Sequence, residues 1–206
     1  MSQQNGLVKT CRRLIPLLLL PALLGLVVGL CVSGVAWLFE GQMLGSLVGS
    51  TSPWIVLVLL AALPLSVLVM RFVAGRLWPS TNEFYIIYSN DQKEQLPLRE
   101  IPGRVLAGGL TVGCGGAQGM ESPSAALGAG LGAGMERLVG QEIPKKERGF
   151  LMMAGASAGL AAIFSSPGVG AMYGLEVPFR RGFDARPLIQ ATVAAVIAFL
   201  VWALTV

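Results

Sequence analysis

Three runs of this chain are apolar enough to cross a bilayer, and they restrict its fold more than any other feature. Leu14 to Phe39, Trp54 to Val69 and Leu188 to Val206 carry almost no charge, and a helical crossing takes roughly 20 mostly apolar residues. Inside hydrocarbon the backbone must satisfy its own polar groups, which such runs do as helices. Only 13% of the 206 residues are charged, against about 25% in soluble domains. The expectation is an all-α integral membrane protein.

A basic segment with Lys9, Arg12 and Arg13 precedes the first run. The run is too long for a secretory signal and no small-residue cleavage site follows it, so it reads as a retained helix. Arg12 and Arg13 stand before the first span, Glu40 to Ser52 holds no Lys or Arg, and Arg71 and Arg76 follow the second span. Basic residues mark the cytoplasmic side. This predicts a cytoplasmic N-terminal segment (residues 1–13) ahead of a transmembrane domain (residues 14–206), and it assigns the net charge of +4 to topology rather than to a nucleic-acid partner. Three scattered cysteines and no histidine remove the usual ligands of zinc and haem sites and the usual base of a catalytic triad. The reading is a non-enzymatic protein without cofactor or metal.

The middle of the chain is organised differently. Trp78 to Pro102 is polar, and Ser80 followed by Glu83 fits a capping box, so a short helix is expected from Ser80 or Thr81. Ile101 to Gln118 is apolar and rich in glycine, which lets neighbouring helices approach closely within a membrane. It is expected to stop at GMESP, with Pro123 as the first residue of a helix from Ser122 to about Val139, since proline's missing N–H is no loss there. After the charged GQEIPKKERGF, the design repeats: AGASAGLAAIF, a break at SSP, and a helix led by Pro167. Arg180, Arg181 and Arg186 form a basic, cytoplasmic connection to the last span.

Helices broken at membrane depth survive only where they are buried in protein or line an aqueous cavity, and their N-termini commonly face a bound anion. The helix starts at Ser80 and Ser122 are candidates to face one site. Beside the second stands Glu121, a carboxylate in an apolar region, which costs about 2.5–3.5 kcal/mol on insertion scales and so calls for a function or a partner. Capping the helix is the plainer role, although serine and aspartate are preferred for it. The functional role is that the carboxylate fills an anion site and leaves it when protonated or displaced.

GMESPSAALGAGLG resembles the G-x-E-x-P segment of the ClC chloride channels and chloride/proton antiporters, and AGASAGLAAIFSSPGVGAMYGLE is similar to the family's second glycine- and alanine-rich segment, which ends in an acidic residue. The two occur in family order, and the likeness runs from about Arg71 to Val206. It implies a ClC-type bundle with broken and re-entrant helices, the first of two inverted repeats, carrying chloride or another small anion across the bilayer. Glu121 matches the gating glutamate, and Gly119, Met120, Ser122 and Pro123 match the backbone lining the outer anion sites. WPSTNE falls where the family has a serine at the central anion site. Pro79 replaces that serine, leaving Ser80 or Thr81 to supply a hydroxyl and chloride preference open. Where many antiporters have a second glutamate that relays protons, this chain has Val177. The neighbouring Glu176 is then either a relay or an ion-pair partner of Arg180 or Arg181.

The resemblance also implies a homodimer, and the compact form without regulatory domains points to a bacterial plasma-membrane location. Ending at Val206, the chain is expected to need the second inverted half, either as a fragment of a longer product or through another polypeptide. Two alternatives stand beside chloride transport: a fluoride-type anion/proton antiporter, and a non-transporting half-length subunit or fragment.

Overall fold

The computed structural model describes residues 18–50, 52–77, 86, 96–139, 147, 149–177 and 185–206. Among these every regular element is helical, as expected. Helix α1 (Leu20–Val48) is α-helical to Ala36, widens into a π-helix over Trp37–Leu44, and returns to α-helix over Gly45–Val48. It therefore overruns Phe39, the expected end of the first span. No proline lies between Pro21, in the first turn of α1, and Pro53, and at 1.5 Å per residue the 29 residues reach about 43 Å, past the hydrocarbon edge. Helix α2 (Ile55–Ala74) also outlasts its expected end at Val69, through a π-turn over Met70–Ala74. Then come α3 (Ile101–Gly113), α4 (Glu121–Val139), α5 (Phe150–Ile163), α6 (Pro167–Glu176) and α7 (Leu188–Thr205). The expected helix at Ser80 or Thr81 and its capping box lie outside the described residues.

Helix α5 is the centre of the bundle. It is apolar all round, and every residue from Phe150 to Ala162 is buried, the arrangement such a helix requires. Helix α4 runs antiparallel to it along a seam with almost no side chains: Ser124 meets Gly159, Gly128 meets Gly155, and Gly132 meets Leu151. At Gly128 and Gly155 each Cα faces the other's carbonyl, and a methyl group on either would overlap that oxygen. This is the close approach that glycine permits between membrane helices.

Other contacts fix the remaining directions. Pro123 of α4 packs on Gly108 of α3 and Gly130 on Ile101, so α3 and α4 are antiparallel. Gly170 and Gly174 of α6 lie on Ala161 and Ser157 of α5, again antiparallel. Gly25 and Gly29 of α1 lie on Ala194 and Ala198 of α7, so these two run parallel. Hydroxyls add polar links: buried Ser66 of α2 meets buried Thr111 of α3 at 2.8 Å, and exposed Thr205 of α7 donates to Ser33 of α1 at 2.8 Å. Most of α2 faces outward, with Leu57, Leu60, Leu63 and Phe72 exposed.

These directions sort the charges. Arg76, Arg99, Glu100, Arg104, Glu136, Arg137, Glu176 and Arg186 fall towards the end of the bundle where α3 and α5 begin, and Arg71 of α2 stands level with the middle of α3. Glu100 pairs there with Arg104 at 3.2 Å and Arg76 at 3.7 Å, and Arg137 donates to the carbonyl of Leu96. Glu136, in the last turns of α4, accepts from the N–H groups of Gly149 at 3.0 Å and Leu151 at 2.9 Å, which caps α5. Among the described residues, the charged side chains of the opposite end are Glu40 and Glu121.

Two outcomes follow from this packing. Gly155→Val puts branched carbons where the Gly128 carbonyl sits and should destabilise the bundle by about 3 kcal/mol, read from unfolding of the helical signal in detergent; an unchanged transition would show that the seam can open at no cost. Glu136→Ala leaves the start of α5 without its acceptor and should cost about 1.5–3 kcal/mol, while Glu136→Gln, which keeps one carbonyl oxygen, should cost less.

Candidate functional site

The approach to Glu121 is built by the end of α3. That helix stops at Gly113 rather than running on to Gln118 as expected, because the chain there turns through a left-handed residue. Gly115 has φ 87°; its N–H donates to Val112 O and the N–H of Gly116 to Thr111 O, both at 2.8 Å. This Schellman pair satisfies the last carbonyls of α3, and glycine meets the left-handed requirement without penalty. The N–H of Gln118 then donates to Gly116 O at 2.8 Å, and Met120, 1% exposed, anchors the chain in the interior.

Helix α4 begins at Glu121, two residues earlier than a start at Pro123. The N–H of Ser124 donates to Met120 O at 3.0 Å, so Met120 is the N-cap and Pro123 the third helical residue. That position still lies among the first-turn groups with no carbonyl partner inside the helix, so the proline forfeits nothing, and its ring fills the notch that Gly108 leaves on α3. Glu121 and Ser122 are half-buried, Pro123 is buried and Gly119 is exposed. The Glu121 carboxylate folds back over Gly119, where a side chain would collide with both carboxylate oxygens.

Two glutamates thus stand near helix starts in different states. Glu136 holds two backbone N–H groups with its two oxygens. Among the described residues no hydrogen bond or ion pair holds the carboxylate of Glu121, although it lies at the positive end of α4, a favourable place for negative charge. In the first turn of α6, by contrast, Ser166 caps in the ordinary way, its hydroxyl accepting from the N–H of Val169 at 3.5 Å.

The expected residues separate into two groups. Gly119, Met120, Glu121, Ser122 and Pro123 form one continuous turn at the end of the bundle where α5 finishes. Glu176, exposed as the last residue of α6, lies at the other end, because α6 and α4 both run antiparallel to α5. Ser80 and Thr81 lie outside the described residues, as do Arg180 and Arg181. Besides the start of α2, the helix start that the fold places at Glu121's end is that of α6, after the break at Phe164–Ser166. Ser165 there has φ 50°, an uncommon conformation for a residue other than glycine. Among the described residues no three His, Cys, Asp or Glu side chains gather as a metal site would require.

Glu40 was not foreseen as a site residue. It sits in the π-helical part of α1, whose Phe39 and Met43 press on Gly109 and Gly113 of α3, towards the end of the bundle that carries Glu121. Its signal in the sequence is a lone acid within a long apolar run, the same mark that singled out Glu121.

Comparison with known proteins accords with this architecture. A curated chloride/fluoride channel protein of Pseudomonas syringae pv. tomato is 29% identical over 150 residues, covering 72% of this chain and 32% of that protein. The crystal structure of a slow cyanobacterial Cl⁻/H⁺ antiporter superposes with a TM-score of 0.70 at 20% identity, over 92% of this chain and 46% of that one. The chain thus spans about a third of the curated relative and just under half of the solved structure, with which it shares the fold. The sequence profile for voltage gated chloride channels matches residues 65–205, more than half of the chain, and the chain belongs to that family, the ClC channels and antiporters.

Proposed function

We propose that this chain is the first half of a ClC-type anion channel or exchanger, and that Glu121 blocks its outer anion site until it is protonated or displaced by the anion. The observation that carries the reading is the state of Glu121. It is an ionisable group at the positive end of a helix that starts within the bundle, folded over a glycine and held by no donor among the described residues. A carboxylate so placed occupies the region a permeating anion would use, and the first-turn N–H groups of α4 serve either one. The backbone of Gly119, Met120, Ser122 and Pro123 lines that region. The gathering of Arg76, Arg99, Arg104, Arg137 and Arg186 towards the opposite end supports a cytoplasmic face there and, with it, a cytoplasmic N-terminus. A bacterial plasma membrane, a homodimeric assembly and completion of the pore by a second inverted half complete the proposal, and Glu176 at the cytoplasmic end is its candidate proton relay.

A fluoride pathway is the second reading. Its support is the replacement of the family's serine by Pro79 and the chloride/fluoride channel named among the relatives. Paired fluoride and chloride efflux from liposomes, with proton movement recorded, separates the two: fluoride flux well above chloride flux with coupled proton uptake favours the second, the reverse order the first.

The gate is tested in the product of the complete reading frame, or in this chain joined by its second half. Protonation removes the blocking charge, so wild-type flux should rise as pH falls. Glu121→Gln is neutral at every pH and should give several-fold higher flux at neutral pH with a flattened pH profile. An active protein whose flux and pH response are unchanged by this substitution would reject the gate.

A further inference from the structure

The first half of α2 stands away from α3 at the end of the bundle that carries Glu121, and a groove opens between them. We propose that this groove is a binding site for one acyl chain of an outer-leaflet phospholipid, which lies against the turn that leads to Glu121.

The walls come from two antiparallel helices and the turn after the second. Ala74 of α2 backs Gly103 of α3, Ser66 meets Thr111, and Leu59 reaches Gly115. At the first level the backbones touch, since a Cβ on Gly103 would lie 2.5 Å from Ala74 N. At the last only the side-chain tip of Leu59 arrives, its Cδ2 3.1 Å from where a Cβ on Gly115 would stand. Between the two elements lies a cavity of about 620 Å³, in which Val56, Leu59 and Leu63 face Thr111, Ala117 and Gln118. Sites that hold small molecules have volumes of roughly 300–1,000 Å³ and mostly apolar linings with a few polar groups.

Depth and chemistry select the occupant. The 20 residues of α2 rise about 30 Å, the thickness of the hydrocarbon layer, and Val56 to Leu63 take up about 10 Å of that in the half nearer Glu121. Leu60 and Leu63 line the groove, yet they are 67% and 64% exposed. The groove is therefore continuous with the outward face of a membrane span, where it meets lipid. Water is a poor occupant, because it needs about 2–4 polar partners and the Thr111 hydroxyl is already engaged by Ala107 O at 2.9 Å and Ser66 Oγ at 2.8 Å. Left empty, the groove would deprive its lining of contacts on one side. A lipid tail supplies them, with the amide of exposed Gln118 as a polar group at the rim. Gln118 stands three residues before Glu121, so the tail packs on the stretch of backbone that delivers the carboxylate.

The test places the complete protein in liposomes containing a phosphatidylethanolamine with a photoreactive diazirine midway along one acyl chain. Adducts are mapped by mass spectrometry in wild type, Val56→Phe and Ala117→Phe, which fill the groove from opposite walls through exposed positions. The expected result is that wild type carries adducts on Leu59 and on residues 111–118, that both substitutions lower them several-fold, and that adducts on Leu68 and Phe72, outside the groove on the same helix, stay unchanged. Adducts that persist undiminished in both variants overturn the site, because they would report ordinary bilayer contact. A wild type without adducts on Leu59 and residues 111–118 overturns it as well, the outcome if the second half of the protein covers the groove. The readout is labelling rather than flux, so the inference stands or falls separately from the gate.

Discussion

The contact on which the bundle depends is the backbone-to-backbone seam between α4 and α5. Membrane helices gain little from hydrophobic burial against one another, because lipid is as apolar as leucine, and they associate through close packing and polar contacts instead. Removing the side chains at Gly128, Gly155, Gly132 and Gly159 lets α4 lie directly on α5. Because α5 is only 14 residues long and buried along nearly its whole length, it serves as an interior post rather than a crossing helix. Everything that places Glu121 follows: α4 is held lengthwise by the seam, and Pro123 locks its first turn onto α3.

The same directions separate the charges into two ends with different chemistry. At one end acids and bases neutralise each other and satisfy backbone groups, as in the Glu100 pairs with Arg76 and Arg104. At the other, two acids stand without described basic partners, close to turns that present helix starts. Ion pairs placed at membrane surfaces need little further explanation. Carboxylates without partners near broken helices do need one, since charge at membrane depth is expensive unless it is used.

Much of this was legible in the sequence, for identifiable reasons. Long apolar runs announce α1, α2 and α7 because hydrocarbon permits little else, and Pro167 marked the start of α6 because proline fits the first helical turn. The helix ends were less legible. The stop of α3 at Gly113 depends on which of several neighbouring glycines turns left-handed, and Gly113, Gly115 and Gly116 look alike until hydrogen bonds choose Gly115. The overrun of α1 past Phe39 reflects a helix that leaves hydrocarbon without any breaker to end it. Glu40 was missed because its place is spatial: 81 residues separate it from Glu121, and only the packing of Phe39 and Met43 on α3 puts both towards one end of the bundle.

Glu121 and Glu136 show why residue type and helix position alone do not identify a gate. Both are glutamates near the first turn of a helix, both are half-buried, and both lie in favourable helix fields. Glu136 reaches across from a neighbouring helix and spends both oxygens on backbone N–H groups, so moving it would leave those donors unpaired at the start of α5. Glu121 reaches backward from its own helix start over a glycine, and no described donor is lost when it leaves. A carboxylate that departs at little structural cost can exchange with an anion, whereas one that holds a helix start together cannot. The difference rests on Gly119, whose missing side chain gives the carboxylate a place to lie without a bond to hold it there.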